Sequence, residues 1–262
     1  MRFDHAIIAV FDLEVATTDF EELGFTVVYG GKHDGGLTHN ALITFKDGTY
    51  FEVMAPTDPG LLENPPDPGP GNYLFLFECG EGFAGYVLHT DELEVVVDRV
   101  RQRGIRIADP EAGGRIRADG VKLAWRTAFP QGSVSPFFIT DKSPREFRVR
   151  TEPEFTSHAN GAIGIERLSI VVSNLEAGIA RHSILLGEDP VRSDAIEGIE
   201  TVAFRVGAIE ATLAAPVDSA SPLANHLSRR GEGLYQVALG IDRPANEESF
   251  LAHGARIRLV GT

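Results

Sequence analysis

The apolar positions near the start of the chain follow a strand–helix–strand order. Residues 3–10 form a short apolar run that predicts a strand, although it contains an aspartate and a histidine. Asp12 is a typical helix N-cap and Gly24 a typical C-terminal glycine, so a helix is predicted between them. Residues 41–55 then hold an Asp-Gly hairpin signal between two β-rich runs. With the intervening strand, the pattern predicts a βαβββ module.

Two segments of the chain occur twice. Residues 4–16 (DHAIIAVFDLEVA) match residues 166–178 (ERLSIVVSNLEAG) at the same offsets. Residues 80–92 (GEGFAGYVLHTDE) match residues 231–243 (GEGLYQVALGIDR), and both begin with Gly-Glu-Gly. Repeats of this length indicate repeated structural units. The chain therefore contains four module starts, in two pairs.

The four modules are not equally complete. The second and fourth starts each lead into a helix-like stretch closed by a glycine, Gly104 and Gly254. After Gly254 the fourth module has room for the opening of a strand only. The boundary falls within residues 150–161, which predicts one domain over 1–152 and a second over 160–262. The expected fold is α+β, with βαβββ modules that pair into half-barrels around an interior cleft and a short fourth module.

Composition and charge limit which binding partners and which cell compartment are expected for the protein. Hydrophobic residues make up 43% of the 262 positions, and the formal net charge is -14. Such an acidic chain is a poor partner for nucleic acid or an anionic membrane. We find no signal peptide and no apolar run of membrane-spanning length. Cys79 is the only cysteine, which fits a reducing compartment, so we expect a cytoplasmic protein.

Five segments between residues 2 and 140 resemble the vicinal-oxygen-chelate superfamily, which includes glyoxalases, extradiol dioxygenases and the bleomycin- and fosfomycin-resistance proteins. The closer resemblance is to glyoxalase-like domain proteins. The segments are FDHAIIAVFDLEVA, GGKHDGGLTHNALITF, YFEVMA, GGRIRADGVKLAWR and SPFFIT. The resemblance implies paired βαβββ modules around a small-molecule site. It also implies one of several functions: metal-dependent isomerase, lyase, epimerase or dioxygenase, or a binding protein without a catalytic step.

The resemblance places metal ligands on the first and last strands of a module. His5 and Glu52 occupy these positions in the first module, whereas Arg167 and Thr212 occupy them in the third. The resemblance thus implies a site for one divalent ion (zinc, iron, manganese or nickel) on His5 and Glu52, without an obvious third ligand. His33 and His39 lie in the following glycine-rich loop and are the histidines available to complete the set.

Strand parity gives an independent view of the same residues. His5 shares a face with Phe3 and Ile7, and Glu52 shares one with Met54, so an imidazole and a carboxylate meet in an apolar cleft if both faces point inward. Three arrangements are open: a metal held by both, a metal-free acid–base pair, or a core histidine beside a glutamate that reaches water.

Further polar candidates lie in two later segments. His33, Thr38 and Asn40 belong to residues 30–40, which form either part of a site or a solvated turn. Arg115 either receives a substrate carboxylate or lies on the surface, and Trp125 begins a strand. We assign Glu52 and His33 as catalytic candidates. The candidates for substrate binding are Thr38, Asn40, Arg115 and Trp125.

These residues favour one small-molecule site in the first half of the chain. The predicted function is a metal-dependent lyase or isomerase that acts on a small oxygenated metabolite. A dioxygenase is the less favoured reaction class. The alternative is a non-catalytic protein that sequesters a small molecule, of the bleomycin-resistance type. The second half shows no comparable set of polar residues. It either completes the fold or forms the face of a homodimer.

Overall fold

The computed structural model describes residues 1–67, 72–131, 136–196, 199–242 and 248–261. Its strands form two sheets, a closed eight-stranded barrel from the first half and a seven-stranded sheet from the second. Within the described residues, no helix has the length and apolar character needed to cross a membrane.

The first module has the predicted βαβββ order. Its elements are β1 (Arg2–Ala9), α1 (Leu13–Glu22), β2 (Val28–His33), β3 (Thr38–Thr44) and β4 (Tyr50–Pro56). Asp12 caps α1 by accepting hydrogen bonds from the backbone N–H groups of Glu14 and Val15. Gly24 follows α1 with a φ of 82°, a conformation that favours glycine. Strand β2 extends to His33, so only a four-residue turn, residues 34–37, remains of the glycine-rich loop before β3.

The second module closes the barrel. A short helix, α2 (Gly60–Glu63), and a 3₁₀ helix (Leu74–Phe77) lead into it. Its elements are β5 (Gly82–His89), α3 (Leu93–Gln102), β6 (Glu111–Ile116), β7 (Lys122–Ala128) and β8 (Phe137–Asp141). The strand order is β1-β4-β3-β2-β6-β7-β8-β5. In each module the first and last strands pair in parallel, and the modules join through the antiparallel pairs β1–β5 and β2–β6.

The second half repeats this order in an open sheet. Two short helices, α4 (Arg145–Arg148) and α5 (Pro153–Thr156), precede it. The third module comprises β9 (Ala162–Val171), α6 (Leu175–Leu186), β10 (Arg192–Ile196), β11 (Ile199–Val206) and β12 (Ile209–Pro216). Helix α7 (Pro222–Arg230) leads to β13 (Gly233–Ile241), β14 (Glu248–Ala252) and β15 (Ala255–Gly261). The sheet order is β10-β11-β12-β9-β13-β15-β14.

The helix predicted around Gly254 is wrong. Strands β14 and β15 form an antiparallel hairpin there, and the turn places His253 and Gly254 at positive φ. Alternate residues of β15 are buried, namely Ala255, Ile257 and Leu259, which is the period of a strand. Strand β15 pairs in parallel with β13, as the last strand of each other module pairs with its first. The glycine therefore ends a strand rather than a helix.

The apolar side chains of β1 divide between two clusters. Ala6 and Ile8 belong to the large cluster shared with the second half, whereas Ile7 and Ala9 belong to a cluster inside the barrel. His5 lines the barrel cavity with Ile7, as predicted. Phe3 packs in the other cluster, contrary to the prediction, because the register of β1 against β5 shifts between Phe3 and His5.

Candidate functional site

The site is centred on the carboxylate of Glu52, on the inner face of β4. His5 Nε2 lies 3.1 Å from Glu52 Oε2, and His33 Nε2 lies 3.2 Å from Oε1. The Asn40 side-chain amide also donates to Oε1. These three donors come from β1, β2 and β3; β1 and β3 flank β4 in the barrel, and β2 is the next strand beyond β3. Glu52 is only 7% exposed, so it does not reach water as one of the three arrangements required.

His5 lies between two carboxylates. Its Nδ1 is 2.8 Å from Asp4 Oδ2, and its Nε2 faces Glu52. Because a carboxylate only accepts hydrogen bonds, both ring nitrogens donate and the imidazole carries a positive charge. Burial lowers the pKa of His5, but the hydrogen bonds to Asp4 and Glu52 outweigh it and raise that pKa above its ordinary value. The Tyr50 ring stacks on the imidazole at a centroid distance of 4.4 Å.

His33 is oriented by a hydroxyl group. Its Nδ1 is 2.8 Å from Thr38 Oγ1. We assign Nε2–H as the donor to Glu52 and the Thr38 hydroxyl as the donor to Nδ1, which gives both ring nitrogens a partner. His33 ends β2 and Thr38 begins β3, and both are buried, as is Asn40. The solvated-turn interpretation is therefore wrong for these three residues.

The pKa of Glu52 reflects the competition between burial and these donors. Burial acts to raise the pKa, while the hydrogen bonds from His33 and His5 lower it. The donors prevail and hold the pKa well below its usual range. Glu52 is consequently ionised at neutral pH.

A second charged network lies beneath His5. Arg148 Nη1 is 2.7 Å from Asp4 Oδ2 and 2.6 Å from the Tyr50 hydroxyl, and Arg148 Nε is 2.7 Å from Asp141 Oδ1. Arg145 also pairs with Asp4. Sequence reasoning missed this network because its arginines lie on a four-residue helix without a periodic pattern. Pro144, at the N-cap of that helix, is only a general sign of a break in regular structure.

Arg115 is buried rather than on the surface. It is 3% exposed, its Nη1 donates to Asn40 Oδ1 at 2.7 Å, and its Nη2 donates to the Arg148 carbonyl at 3.2 Å. Burial lowers its pKa. Gly30 lies against this contact, and a Cβ at position 30 would overlap both Asn40 Oδ1 and Arg115 Nη1. The glycine at this position thus allows the guanidinium to reach Asn40.

The cavity beside Glu52 is small and has an apolar wall. Its volume is about 40 Å³, and its polar lining includes Glu52, His5, His33, Asn40, Arg115 and Arg148. The apolar side is formed by Ile7, Leu42, Met54, Leu76, Trp125 and Phe137. Tyr73 and Trp125 place their rings against His33, at centroid distances of 5.2 and 6.1 Å. A small ligand in this cavity meets hydrogen-bonding groups on one side and aromatic and aliphatic groups on the other.

His39 is not brought to the site. Neighbouring residues of a strand point to opposite faces, and Asn40 and Thr38 occupy the inner face of β3. His39 lies on the outer face, where its ring meets that of Tyr29 at 6.1 Å. Of the two histidines proposed to complete a ligand set, only His33 lies near Glu52.

The donor atoms of the site do not fit a divalent metal as they are arranged. In the part of the chain that the structure describes, no three His, Cys, Asp or Glu side chains are grouped as ligands for an ion. Both oxygens of Glu52 accept N–H groups, and His5 donates through both ring nitrogens. A ligand histidine must instead offer a lone pair. A metal at these residues would have to replace the present hydrogen bonds.

The matching position of the second half carries a different feature. Arg167, which corresponds to His5, forms an ion pair with Glu210 at 3.1 Å, and its side chain is exposed. These residues are neighbours across the parallel pair β9–β12. The repeat thus preserves the backbone arrangement but replaces the buried imidazole with a surface charge.

The closed barrel of two βαβββ modules, with a polar cluster on its inner wall, defines a protein of the vicinal-oxygen-chelate type. The chain belongs to the glyoxalase-like domain family, whose sequence model matches residues 3–186. A comparison of the chain with curated proteins finds no match.

Two solved structures show the same fold at low sequence identity. A hypothetical protein from Staphylococcus aureus aligns over 99% of both chains, with 15% identity and a TM-score of 0.78. A mutant of 4-hydroxymandelate synthase from Streptomyces coelicolor aligns over 92% of this chain and 72% of that one, with 16% identity and a TM-score of 0.64. Methylmalonyl-CoA epimerase from Mycobacterium tuberculosis aligns over 38% and 89%, with 22% identity and a TM-score of 0.33.

Proposed function

We propose that the protein is an acid–base enzyme, a lyase or isomerase, that acts on a small oxygenated metabolite inside the barrel. One observation carries this proposal. Glu52 is a buried, ionised carboxylate on the wall of a mostly apolar cavity, and exchangeable N–H donors surround it. A buried carboxylate next to a small cavity is suited to remove a proton from a bound molecule.

Substrate binding would itself make Glu52 more basic. Asn40 Nδ2 and His33 Nε2 lie 3.3 Å apart and both point at Glu52 Oε1. A carbonyl oxygen of the substrate that accepts from these two groups removes two donors from Oε1. Because those donors lower the pKa of Glu52, their loss raises it towards the range of an effective general base.

The proton transfer then follows from these roles. Glu52 accepts a proton from the carbon next to the substrate carbonyl, and the electron pair moves to the carbonyl oxygen. His33 and Asn40 stabilise the resulting enolate oxygen. Return of the proton to another position completes an isomerisation, whereas loss of a leaving group from the neighbouring carbon completes a lyase reaction. Thr38 orients His33, Arg115 orients Asn40, and Trp125 covers the cavity.

The metal-dependent form of this reaction is implied by the resemblance and stays a prediction. His5 and Glu52 occupy the ligand positions of the superfamily, and a bound divalent ion would polarise the substrate oxygen. That form requires both side chains to exchange their present hydrogen bonds for the ion.

A non-catalytic binding protein is the second candidate. The observation that favours it is the complete pairing of Glu52, whose two oxygens accept hydrogen bonds from three side chains. In such a protein the network would only fix the shape of the cavity.

The test follows exchange of carbon-bound hydrogen. The protein, purified without chelator and analysed for metal, is incubated in D₂O with a panel of small 2-oxo acids, 2-hydroxy ketones and aldehydes, and C–H signals are followed by NMR. We expect exchange with one of these compounds and its loss in Glu52→Gln. The control variant Glu14→Gln, which changes an exposed side chain of α1, should show no change. Binding without exchange of any compound would favour the second candidate. Stoichiometric metal that is lost in His5→Ala and Glu52→Gln would support the metal-dependent form.

A further inference from the structure

Arg115 is a buried cation without an ionic partner among the described residues. Two of its guanidinium nitrogens donate to neutral oxygens, those of Asn40 and the Arg148 backbone, and Nε has no hydrogen-bond partner. Arg148, its buried neighbour, by contrast pairs with both Asp4 and Asp141. Buried charges in folded proteins are normally paired, because an unpaired one is costly. Arg115 is an exception, because the carboxylate whose charge acts on it most strongly, that of Glu52, is not in contact with it, so an anion from outside the chain can still pair with the guanidinium.

A second pocket lies on the other side of Arg115. It has a volume of about 160 Å³ and shares Leu42, Arg115 and Arg148 with the cavity beside Glu52. We call it the arginine pocket; its other walls include Tyr29, Arg117, Asp119, Phe147, Arg150 and Phe155. Arg115 therefore forms part of the partition between the two spaces.

The lining of the arginine pocket has an excess of positive charge. Arg115, Arg117, Arg148 and Arg150 line it, and Asp119 is the one carboxylate among its lining residues. Asp119 is engaged by Arg117, whose Nε lies 3.0 Å from it. Arg150 pairs with Glu152 at the exposed rim and lies over the Phe155 ring, 3.7 Å from its centroid. Arg115 is therefore the arginine of this pocket that has no carboxylate in contact with it.

The remaining walls are aromatic. Tyr29 is 46% exposed, Phe147 is exposed as well, and Phe155 is half-buried beneath Arg150. Exposed aromatic side chains next to guanidinium groups suit a ligand with an apolar body and a charged end.

We propose that the arginine pocket binds an organic anion whose carboxylate or phosphate meets Arg115 and whose apolar part lies against Tyr29 and Phe147. The anion pairs the buried guanidinium, and it competes with Asn40 Oδ1 for the N–H groups of Arg115. Binding in the arginine pocket is thus linked through Arg115 and Asn40 to the hydrogen bonds of Glu52. The binding itself does not depend on the reaction that takes place at Glu52.

Calorimetric titration with benzoate and phenyl phosphate tests the proposal, with benzamide as the neutral match and inorganic phosphate as the match without an apolar part. We expect an organic anion to bind at least about tenfold more tightly than either match. Arg115→Met should weaken that affinity by about tenfold or more, and Tyr29→Ala by several-fold. Phe11→Ala and Arg126→Gln, which lie outside the pocket, should leave it unchanged. The stronger of the two anions identifies the charged group.

Three results would overturn the proposal: equal binding of benzamide, no binding of either organic anion, or an affinity that falls in Glu52→Gln but not in Tyr29→Ala. The last would place the ligand in the cavity beside Glu52. Arg115 is buried, so its variant is first checked for folding by circular dichroism. Tyr29 is exposed, and its variant keeps the test decisive if Arg115→Met does not fold.

Discussion

Asp4 and His5 are consecutive residues of one strand, yet their side chains are hydrogen-bonded to each other at 2.8 Å and are both buried. Consecutive residues of a regular strand point to opposite faces. The register of β1 shifts between Phe3 and His5, which lets both polar side chains lie on the barrel side. The irregularity gives His5 its second carboxylate and joins the site to the arginines of α4.

Replacing Asp4 should destabilise the fold strongly. Asp4→Asn removes the charge that pairs with Arg148, Arg145 and His5 and leaves a buried guanidinium without one of its partners. Loss of one member of a buried pair typically costs about 3–5 kcal/mol. Urea denaturation should show a decrease in the free energy of unfolding of that order.

The control for Asp4 is Asp119→Asn, since Asp119 also pairs with an arginine but is exposed. Its effect should stay within about 1 kcal/mol, as for other surface ion pairs. Equal losses in the two variants would contradict the structural role given to the buried network.

The predictable part of the site is the part that strands determine by parity. Repeats within the sequence identify the module starts, and alternation places His5 on a face with Ile7 and Glu52 on a face with Met54. The structure shows that both faces line the barrel cavity. Arg115 was less accessible to this reasoning, because its burial depends on pairing between β2 and β6 from different modules. Arg148 contacts Asp4 across 144 positions of sequence, and no local pattern encodes such a contact.

In the fourth module a sequence repeat predicts the wrong secondary structure. Its sequence match to the second module led to a predicted helix, but alternate burial in β15 and pairing with β13 decided the outcome. A short stretch with both periods present takes the structure that its neighbours stabilise.

A methyl group at position 30 should break the contact between Arg115 and Asn40. Gly30→Ala places a Cβ where Asn40 Oδ1 and Arg115 Nη1 now lie, so one of them must move. Overpacking of this kind typically costs about 1–3 kcal/mol. Thermal unfolding should show the loss, and affinity for organic anions should change with it.

Gly35→Ala provides the comparison for Gly30. Gly35 has a φ of 83° but open space around it, so the substitution introduces backbone strain without touching the site. It should lower stability by about 1 kcal/mol and leave anion affinity unchanged. If both variants change anion affinity alike, the proposed contact is not the cause.

Removing the Asn40 donor should raise the pKa of Glu52. Asn40→Ala removes one hydrogen bond to Glu52 Oε1, so fewer donors stabilise the ionised carboxylate. Burial, which raises the pKa, is still present. ¹³C NMR of labelled glutamate should show the buried carboxylate titrating at a higher pH than in the unmodified protein. His39→Ala changes the neighbouring residue on the outer face and should leave this titration in place. An unchanged or lower pKa in Asn40→Ala would contradict the argument that donors control the basicity of Glu52.

Stability at mildly acidic pH should depend on His182 in α6. Burial lowers the pKa of His182 to about 4, its Nδ1–H donates to the Gly178 carbonyl at 2.9 Å, and its Nε2 is buried without a partner. In the unfolded chain the pKa is near the ordinary value of about 6.5. Between these values the unfolded state binds more protons than the folded state, so stability falls as the pH falls from about 6.5 to about 4. The full contribution is at most about 3 kcal/mol.

His182→Leu removes the titrating group and keeps an apolar side chain beside Phe204. Urea denaturation at pH 7 and pH 5 should therefore show a smaller loss of stability in the variant. His226, whose pKa is also lowered by burial to about 4, contributes in the same direction and is retained in both proteins. An equal loss in both proteins would mean that His182 is protonated in the folded state, or is not buried as the structure shows.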